Sequence, residues 1–323
     1  MAQKVQIGDI IEIPTKRGLA YVQFSHYHAV SYTHLIDNGL GGNFTEAAFN
    51  DDACLDWHGW LEAKYETVER MNDLMGLRHW GQVVTRWDQV PMPMHAPAAH
   101  NPALVLDWCR FCSDTIVQFV KMQAEVLHEL TPDCPVTTNL RPLIHRFDHF
   151  DLAEVIDFVS IESTASIKAK SSELACEIDM LRSLKKTGIR SPDGDTGFWV
   201  MEQKAGNVNW QDVNSLVRPG VLRMFTYQLV SRGATAIVFF RWRQPRFGTE
   251  KFHGAILPHH LEGSSRVYQE ISQISEELKM LAPALKDTKV IPEVCILYSH
   301  DNDWTLQQPN QPNKFFSLRE RCV

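Results

Sequence analysis

Residues 197–210, GFWVMEQKAGNVNW, place a single carboxylate where an apolar run meets a polar loop. The apolar run ends at Glu202, and a stretch that contains glycine follows it. A carboxylate at the end of a buried strand can act as a nucleophile or can transfer a proton to or from a substrate. Either kind of chemistry usually needs a second group nearby. The alternative is an ion pair between Glu202 and an arginine, which is common at strand ends. Either interpretation requires a partner for Glu202.

Four apolar runs in this part of the sequence predict β-strands. Each is followed by a helical pattern, and they are PVTTNL from residue 135, VIDFVSIE from 155, GFWVME from 197 and ATAIVFFRW from 234. The last two are nearly continuous apolar runs, as expected for parallel strands that are covered on both faces. Functional groups of such βα repeats gather at the C-terminal ends of the strands. The residues predicted at that edge are Asn139, Glu162, Glu202 and the cluster Arg241, Trp242 and Arg243.

Long helices are predicted around these strands. The clearest covers residues 101–130, where Asn101 is a suitable N-cap, Pro102 takes the first helical position and the apolar spacing continues for about eight turns. A later helix carries apolar residues at helical spacing and ends at Gly233. A further helix extends to about Leu285.

The two ends of the chain depart from the βα pattern. The first 35 residues contain short β-rich runs broken by Pro14 and Gly18, which predict a small antiparallel hairpin or barrel. After the last predicted helix, VIPEVCILYSHDND predicts the first strand of a further unit.

Composition restricts the possible function classes. The 323 residues are 44% hydrophobic, which is enough for one large domain or two medium ones. With 39 acidic and 32 basic residues and no cluster of Lys and Arg, nucleic acid is not an expected partner. The most apolar segment, GATAIVFF, is too short to span a membrane, and the start, MAQKVQIGDIIEIP, carries charges where a signal peptide has an apolar run. The predicted compartment is the cytoplasm, with the seven dispersed cysteines reduced.

Four long stretches resemble the β-galactosidases of glycoside hydrolase family 42. They are FWVMEQKAGNVNW, RPGVLRMFTYQLVSRGA, FFRWRQPRFGTEKFHGAILPH and NFTEAAFNDDACLDWHGWLEAKYETVERMNDLMGLRHWGQ. The resemblance covers roughly residue 36 to the end of the chain. That family has a TIM barrel, an α/β domain used for trimerisation and a small β domain, and it cleaves terminal β-galactosides with retention. Retention needs two carboxylates about 5 Å apart, of which one is a nucleophile and the other an acid and base.

The resemblance implies an α/β fold built on a partial (β/α)8 TIM barrel, with about strands four to eight of the barrel. The predicted domains are a foreign N-terminal β segment (1–35), the partial barrel (36–285) and the start of a truncated α/β domain (286–323). The first segment faintly resembles a bacterial immunity-protein β domain, and AVSYTHL resembles translated sequencing-adapter sequence. We therefore expect a fragment, formed by a join of two reading frames, in which the family homotrimer is not retained.

The resemblance also assigns roles to residues of a galactoside site that uses no cofactor. Glu202 corresponds to the nucleophile at the end of the seventh barrel strand. Trp210 corresponds to a wall of the galactose site, although simple packing is the alternative for an indole. Glu250 and His253 correspond to residues that hydrogen-bond sugar hydroxyls, whereas their spacing alone predicts a solvated loop. The family usually has a tyrosine after the sixth strand, where this chain has Thr164.

The second carboxylate is missing from the sequence. The family places its acid and base glutamate directly after an asparagine at the end of the fourth strand, and here that stretch is HLIDNGLGGNF. Asn38 is present, and Gly39 stands where the carboxylate is expected. Two function classes follow. The first is a retaining β-galactosidase, which the resemblance implies. The second is a non-catalytic galactoside-binding remnant or an unfolded fragment, which Gly39 and the missing barrel strands imply.

No metal site is predicted from the cysteines and histidines. Cys109 and Cys112 form a C-x-x-C pair, but they lie on the apolar stripe of the long helix and no second pair accompanies them. Some family members hold zinc with four cysteines after the fourth strand, where only Cys54 stands here. The HYH stretch at 26–28 has no third ligand nearby. We interpret Trp57 and Trp60 first as a buried face of a helix. The second interpretation is a surface on which a sugar ring stacks.

Overall fold

A computed structural model describes residues 10–15, 18–23, 51–94, 96, 98–141, 146–163, 170–185, 197–208, 213–259, 265–286, 288–313 and 316. These residues form two compact units. The first unit lies within Met1–Phe119, His145–Asp148 and Tyr298–Leu318. The second lies within Val120–Ile144 and His149–Leu297.

The described elements are eight α-helices and six β-strands. The helices are α1 (Asp51–Tyr65), α2 (Val68–Leu74), α3 (Pro102–Leu130), α4 (His149–Glu154), α5 (Ser171–Ser183), α6 (Val221–Ser231), α7 (Arg266–Leu285) and α8 (His300–Leu306). The strands are β1 (Ile10–Thr15), β2 (Gly18–Gln23), β3 (Asn139–Leu140), β4 (Ser160–Ser163), β5 (Phe198–Lys204) and β6 (Ala234–Phe240). Short 3-10 helices cover His79–Gly81 and Trp87–Gln89.

The N-terminal segment contains the predicted antiparallel hairpin. β1 and β2 pair from Ile10 with Gln23 to Thr15 with Gly18, and Pro14 lies inside β1 opposite Leu19. A proline is tolerated there because a two-stranded ribbon leaves one side of each strand unpaired. Among the described strands, β1 and β2 pair only with each other, so the hairpin does not extend the parallel sheet. The boundary at residue 35 and the foreign origin stay predictions.

The second unit contains a parallel sheet in the order β3-β4-β5-β6. Strand order follows chain order, as in a TIM barrel, and the predicted partial barrel is confirmed. The predicted fourth barrel strand, which precedes Gly39, lies outside the described residues. Three strands are shorter than their sequence patterns: β3 contains only Asn139 and Leu140, β4 begins at Ser160 and β6 ends at Phe240. β5 instead continues two residues past Glu202, to Lys204.

Helices α6 and α7 cover the sheet with the faces that the sequence pattern indicates. Leu222 of α6 packs in one cluster with Ile271 and Ile274 of α7, and with Ala205, which follows β5 directly. The α6 helix ends at the predicted position, since Gly233 has a φ of +99° that a β-carbon disfavours. This packing fixes the end of β5 against two helices.

The predicted long helix is confirmed as α3, and its residues 102–119 belong to the first unit. Asn101 caps its start, with its Oδ1 accepting a hydrogen bond of 2.9 Å from the Ala103 N–H. The buried Asp107 of α3 accepts hydrogen bonds from Lys64, Tyr65 and Arg110. Burial and the hydrogen bond to Asp107 raise the pKa of Tyr65 far above its ordinary value. A carboxylate that is buried among three donors ties α1 to α3.

The strand predicted from VIPEVCILYSHDND is wrong. In the described part of the chain, residues 288–299 belong to no helix or strand, and α8 begins at His300. A strand needs a neighbour for its backbone hydrogen bonds, and no described strand runs beside this segment. Its apolar side chains therefore lie in solvent, with Leu297 92% exposed.

We expect the chain to self-associate through the edges of the parallel sheet. β3 and β6 are the outer strands of that described sheet, and Val238 of β6 is 47% exposed. Unpaired strand edges with apolar side chains bind further strands. Light scattering should therefore give a mean mass that rises with protein concentration, and Val238→Lys should reduce the rise.

Met224→Lys is the matched control, because Met224 is 51% exposed on α6 rather than on a strand edge. It should leave the association unchanged. A constant monomeric mass at all concentrations, with one cooperative thermal transition, would contradict this prediction.

Candidate active site

The candidate site begins where β5 changes register against both of its neighbours. Val200 pairs with Ile161 of β4, and the next pair is Glu202 with Glu162, so Met201 is skipped. On the other side, the register of β5 with β6 shifts between Val200 and Gln203. Such bulges turn side chains away from simple alternation. Glu202 thus lies at an irregular strand end, with Glu162 as its register partner on β4.

Asn139 reaches Glu202 from β3. Its Nδ2 donates a hydrogen bond of 2.8 Å to Glu202 Oε1. The backbone around Asn139 is fixed by Ser160, whose hydroxyl donates to the Thr138 carbonyl at 2.9 Å. Asn139 therefore holds one carboxylate oxygen, and the orientation of the Glu202 carboxylate depends on the packing of three strands.

The electrostatic environment of Glu202 favours its protonated form. Burial raises its pKa to about 8, and the negative charges of Glu162 and Glu250 add to the rise. The hydrogen bond from Asn139 and the positive charge of Arg141 act in the opposite direction. A group with a pKa near neutral can exchange a proton or act as a nucleophile at working pH, which marks this residue as a functional candidate.

The loop after β6 brings a second polar group of residues to the same unit. Arg241 Nη1 donates to Glu250 Oε2 at 2.7 Å, and the peptide bond between Phe240 and Arg241 is cis. His253 is buried, with its ring edge-on to Phe240 at 5.3 Å between centroids. The His253 N–H donates to the Glu250 carbonyl at 2.9 Å. Arg241 therefore positions Glu250, and Glu250 and His253 share one turn.

Two glycines hold this loop against the segment that follows Glu202. A β-carbon on Gly254 would lie 2.8 Å from the backbone nitrogen of Asn207 and 2.9 Å from the Cα of Gly206. The contact permits the Gly254 N–H to donate to the Asn207 carbonyl at 2.8 Å. The Asn207 side chain in turn donates to the Phe252 carbonyl at 2.9 Å. The two chain segments that carry the candidate site are thus in direct backbone contact.

Several predicted residues are therefore brought together, and others cannot be placed. Glu202 lies beside Glu162 and Asn139, and Glu250 is close enough for its charge to affect Glu202. Asn38, Gly39, Thr164 and Trp210 lie outside the described residues.

Three residues of this unit were not singled out by the sequence. Arg141 follows β3, and no local pattern relates it to Glu202. Gln203 is buried and donates to the Thr226 hydroxyl of α6 at 2.8 Å. Lys204 is buried over the ring of Phe225, with 5.0 Å between its Nζ and the ring centroid, and burial lowers its pKa to about 8. The sequence pattern ends the predicted strand at Glu202 and assigns Gln203 and Lys204 to the loop after it, whereas β5 continues to Lys204.

The remaining candidates behave as packing residues. Burial raises the pKa of both Cys109 and Cys112 to about 12, which makes these thiols unreactive. No group of three or more His, Cys, Asp or Glu side chains among the described residues is arranged to hold a metal. Trp57 is fully buried in the first unit and packs edge-on to Trp108 at 5.2 Å between centroids, and Trp60 donates to Asp114 at 2.7 Å. The helix-face interpretation of Trp57 is thus confirmed.

Comparison with known proteins identifies the family. The model of glycoside hydrolase family 42, described as β-galactosidase, matches residues 20–281. The chain belongs to this family. The match begins inside the segment 1–35, whereas the sequence motifs of glycoside hydrolase family 42 begin near residue 36.

Relatives within glycoside hydrolase family 42 are longer than this chain. The β-galactosidase BgaB of Geobacillus kaustophilus is 35% identical over 266 residues, which are 82% of this chain and 38% of the relative. The β-galactosidase LacZ of Heyndrickxia coagulans is 32% identical over 289 residues, which are 89% of this chain and 42% of the relative. This chain thus spans about two fifths of the length of the curated relatives it matches.

Solved structures of β-galactosidases have the same fold. The crystal structure of the enzyme from Bacillus circulans sp. alkalophilus has a TM-score of 0.79 and 29% identity, and the alignment covers 85% of this chain and 41% of that one. The enzyme of the psychrophilic Marinomonas ef1 has a TM-score of 0.71 and 25% identity over 81% of this chain and 42% of that one. Among the described residues, no helix has the length and apolar character needed to cross a membrane.

We predict that Glu202→Gln makes the protein more stable above neutral pH. Because the pKa of Glu202 rises from 4.5 to about 8 on folding, the folded chain keeps a proton that the unfolded chain loses between these values. The free energy of unfolding therefore falls from about pH 4.5 to about pH 8, and glutamine removes this loss. At about 1.4 kcal/mol per pKa unit, denaturant titrations should give the variant an advantage of up to about 4 kcal/mol at pH 8 and a smaller one at pH 5.

Glu154→Gln removes an exposed carboxylate of α4 and is the matched control. It should leave the pH dependence unchanged. If Glu202→Gln also follows the unmodified chain at both pH values, the raised pKa of Glu202 is wrong.

The glycine contact predicts a loss of stability in Gly254→Ala. The added methyl would meet backbone atoms of the facing segment, so we expect about 1–3 kcal/mol lower unfolding free energy in denaturant titrations. Gly59→Ala is the matched control, since a β-carbon on Gly59 meets nothing within 4 Å and the residue lies inside α1. It should stabilise the chain by about 0.5–1 kcal/mol. Equal stabilities of the two variants would contradict the close approach at Gly254.

Proposed function

We propose that this chain carries the galactosyl-accepting half of a retaining β-galactosidase site, with Glu202 as the nucleophile. The observation that supports it best is the Glu202 carboxylate itself. It lies two residues before the end of β5, is oriented by Asn139 at 2.8 Å and has a second carboxylate residue, Glu162, as its register partner. Family membership supports a terminal β-galactoside as the substrate class.

The first chemical step requires Glu202 in its ionised form. One Glu202 oxygen donates its electron pair to the anomeric carbon, and the bond from that carbon to the leaving oxygen breaks with its electron pair. An aryl leaving group departs as a stable anion, so this step needs no proton. The product is a galactosyl ester of Glu202.

We propose that this chain is deficient in the second step, which is the hydrolysis of the galactosyl ester. Water attacks the ester only when a base removes its proton, and the resemblance assigns that role to the position of Gly39, which has no side chain to accept one. General acid and base assistance contributes about 10² to 10⁴ in rate. We therefore propose that the ester accumulates and that natural galactosides, whose leaving groups need a proton, are nearly inert.

Recognition of the sugar is assigned to the loop after β6 and to residues outside the described part. Glu250 is held by Arg241 at 2.7 Å, which supports a fixed carboxylate acceptor for sugar hydroxyls. His253 shares its turn and supplies a second polar group. By resemblance, Asn38 and Trp210 complete the galactose site.

The second candidate function is non-catalytic galactoside binding. Gly39 favours it, because a site without an acid and base can still hold the sugar. The two functions share every binding residue and differ only in whether Glu202 forms a covalent bond.

An activated aryl β-galactoside separates the two candidates. We expect the unmodified chain to release the aryl group slowly, to turn over faster with azide and to leave lactose unchanged. Azide is an anion and attacks the ester without a base. Glu202→Ala should abolish the azide-dependent turnover, and Gly39→Glu should restore part of the turnover without azide. The exposed Glu154→Ala is the matched control and should behave as the unmodified chain.

Binding of galactose without any aryl release, with or without azide, would establish the non-catalytic function. Ordinary lactose turnover by the unmodified chain would contradict the role proposed for Gly39, because another carboxylate would then act as acid and base.

A further inference from the structure

Glu162 and Glu202 stand at the same level of two adjacent parallel strands. They are register partners, and neighbouring strands are about 4.8 Å apart. Both residues are partly buried, and both flank the register shift at which Met201 is skipped. The site proposed above uses Glu202 and leaves Glu162 without a role.

We propose that the negative charge on Glu162 sets the pH range in which Glu202 acts as nucleophile. The inference rests on the proposed nucleophilic role of Glu202. Glu162 is then a positioning residue. Its negative charge changes the ionisation of Glu202, and Glu162 itself need not touch the substrate.

Every element packed around Glu202 contributes to this balance. On the β3 side, Asn139 donates to Glu202 and the Arg141 charge favours the ionised form. On the β6 side, Glu250 adds a negative charge, while the Arg241 guanidinium forms an ion pair with Glu250 at 2.7 Å. The Glu202 pKa of about 8 is the net result of burial and these charges. In this partly buried site, the negative charge of Glu162 disfavours a further negative charge on Glu202.

The sign of the effect follows from the covalent step. A protonated carboxyl has no charged oxygen to attack the anomeric carbon, so the proton must first pass to solvent. The rate of galactosylation therefore rises with pH up to about pH 8, the pKa of Glu202. In Glu162→Gln the like charge is absent, and Glu202 ionises at lower pH.

The test measures covalent labelling with 2-deoxy-2-fluoro-β-galactosyl fluoride. Glu202 attacks the anomeric carbon, the carbon–fluorine bond breaks and fluoride leaves with the electron pair, so neither acid nor base is needed. Mass spectrometry follows the labelled chain between pH 5 and pH 9. We expect Glu162→Gln to move the rising limb down by about one pH unit, which is about a tenfold faster labelling at pH 6.

Two variants control the experiment. Glu162→Asp keeps the charge and should retain the pH profile of the unmodified chain. Glu154→Gln removes one exposed charge and should also retain it. Identical labelling profiles for Glu162→Gln and the unmodified chain would overturn the proposal and leave the nucleophile assignment intact.

A second measurement does not depend on reactivity. The carboxyl 13C resonance of Glu202, assigned as the signal lost in Glu202→Gln, is titrated in the unmodified chain and in Glu162→Gln. We expect the titration midpoint of that signal to fall by about one pH unit. If no labelling occurs at any pH but the midpoint falls, the proposed function fails and the coupling of the two carboxylates stands. An unchanged midpoint overturns the coupling.

Discussion

Moving an ionised carboxylate out of water costs more free energy than a single hydrogen bond returns. In the second unit of the chain, this cost falls on Glu202 and determines its protonation. Glu202 sits at the end of a strand whose neighbours are fixed by helix packing, so it cannot turn toward solvent without disturbing β5. Its one described hydrogen-bond donor, Asn139, stabilises only one of its oxygens. Burial and the like charges nearby therefore favour the protonated form of Glu202 below about pH 8.

The charges around Glu202 explain why the nearby Arg241 does not neutralise the Glu202 carboxylate. Arg241 is near the same strand end, but its guanidinium forms its ion pair with Glu250. The alternative interpretation of Glu202 as an ordinary strand-end ion pair thus applies to Glu250 instead. The Arg241 guanidinium thus compensates the charge of Glu250, and burial with the charges of Glu162 and Glu250 raises the pKa of Glu202.

Local sequence patterns predicted the elements whose formation depends on residues that are close together in the chain. The bounds of α3 follow from its cap at Asn101 and its apolar stripe, and the order of the parallel strands follows from βα alternation. The register shift at Met201 and the contact of Gly254 with the segment after β5 depend on neighbouring chain segments, and no spacing in the sequence encodes them. The same reason explains the failed strand after Leu285, since apolar residues form a strand only beside a partner. Arg141 also comes close to Glu202 through the pairing of strands in the sheet, so no local pattern predicts this proximity.

The segment 288–299 gives the folded chain a vulnerable point. A protease must bind several consecutive residues in an open conformation, and in most folded proteins such residues become accessible only after local unfolding. Here the apolar residues before α8 belong to no described helix or strand and face solvent. Cleavage in this segment needs no prior opening, and it would separate α8 from α7 while the parallel sheet is still intact. The lifetime of the intact chain is then set by this segment and not by the free energy of unfolding of the barrel strands.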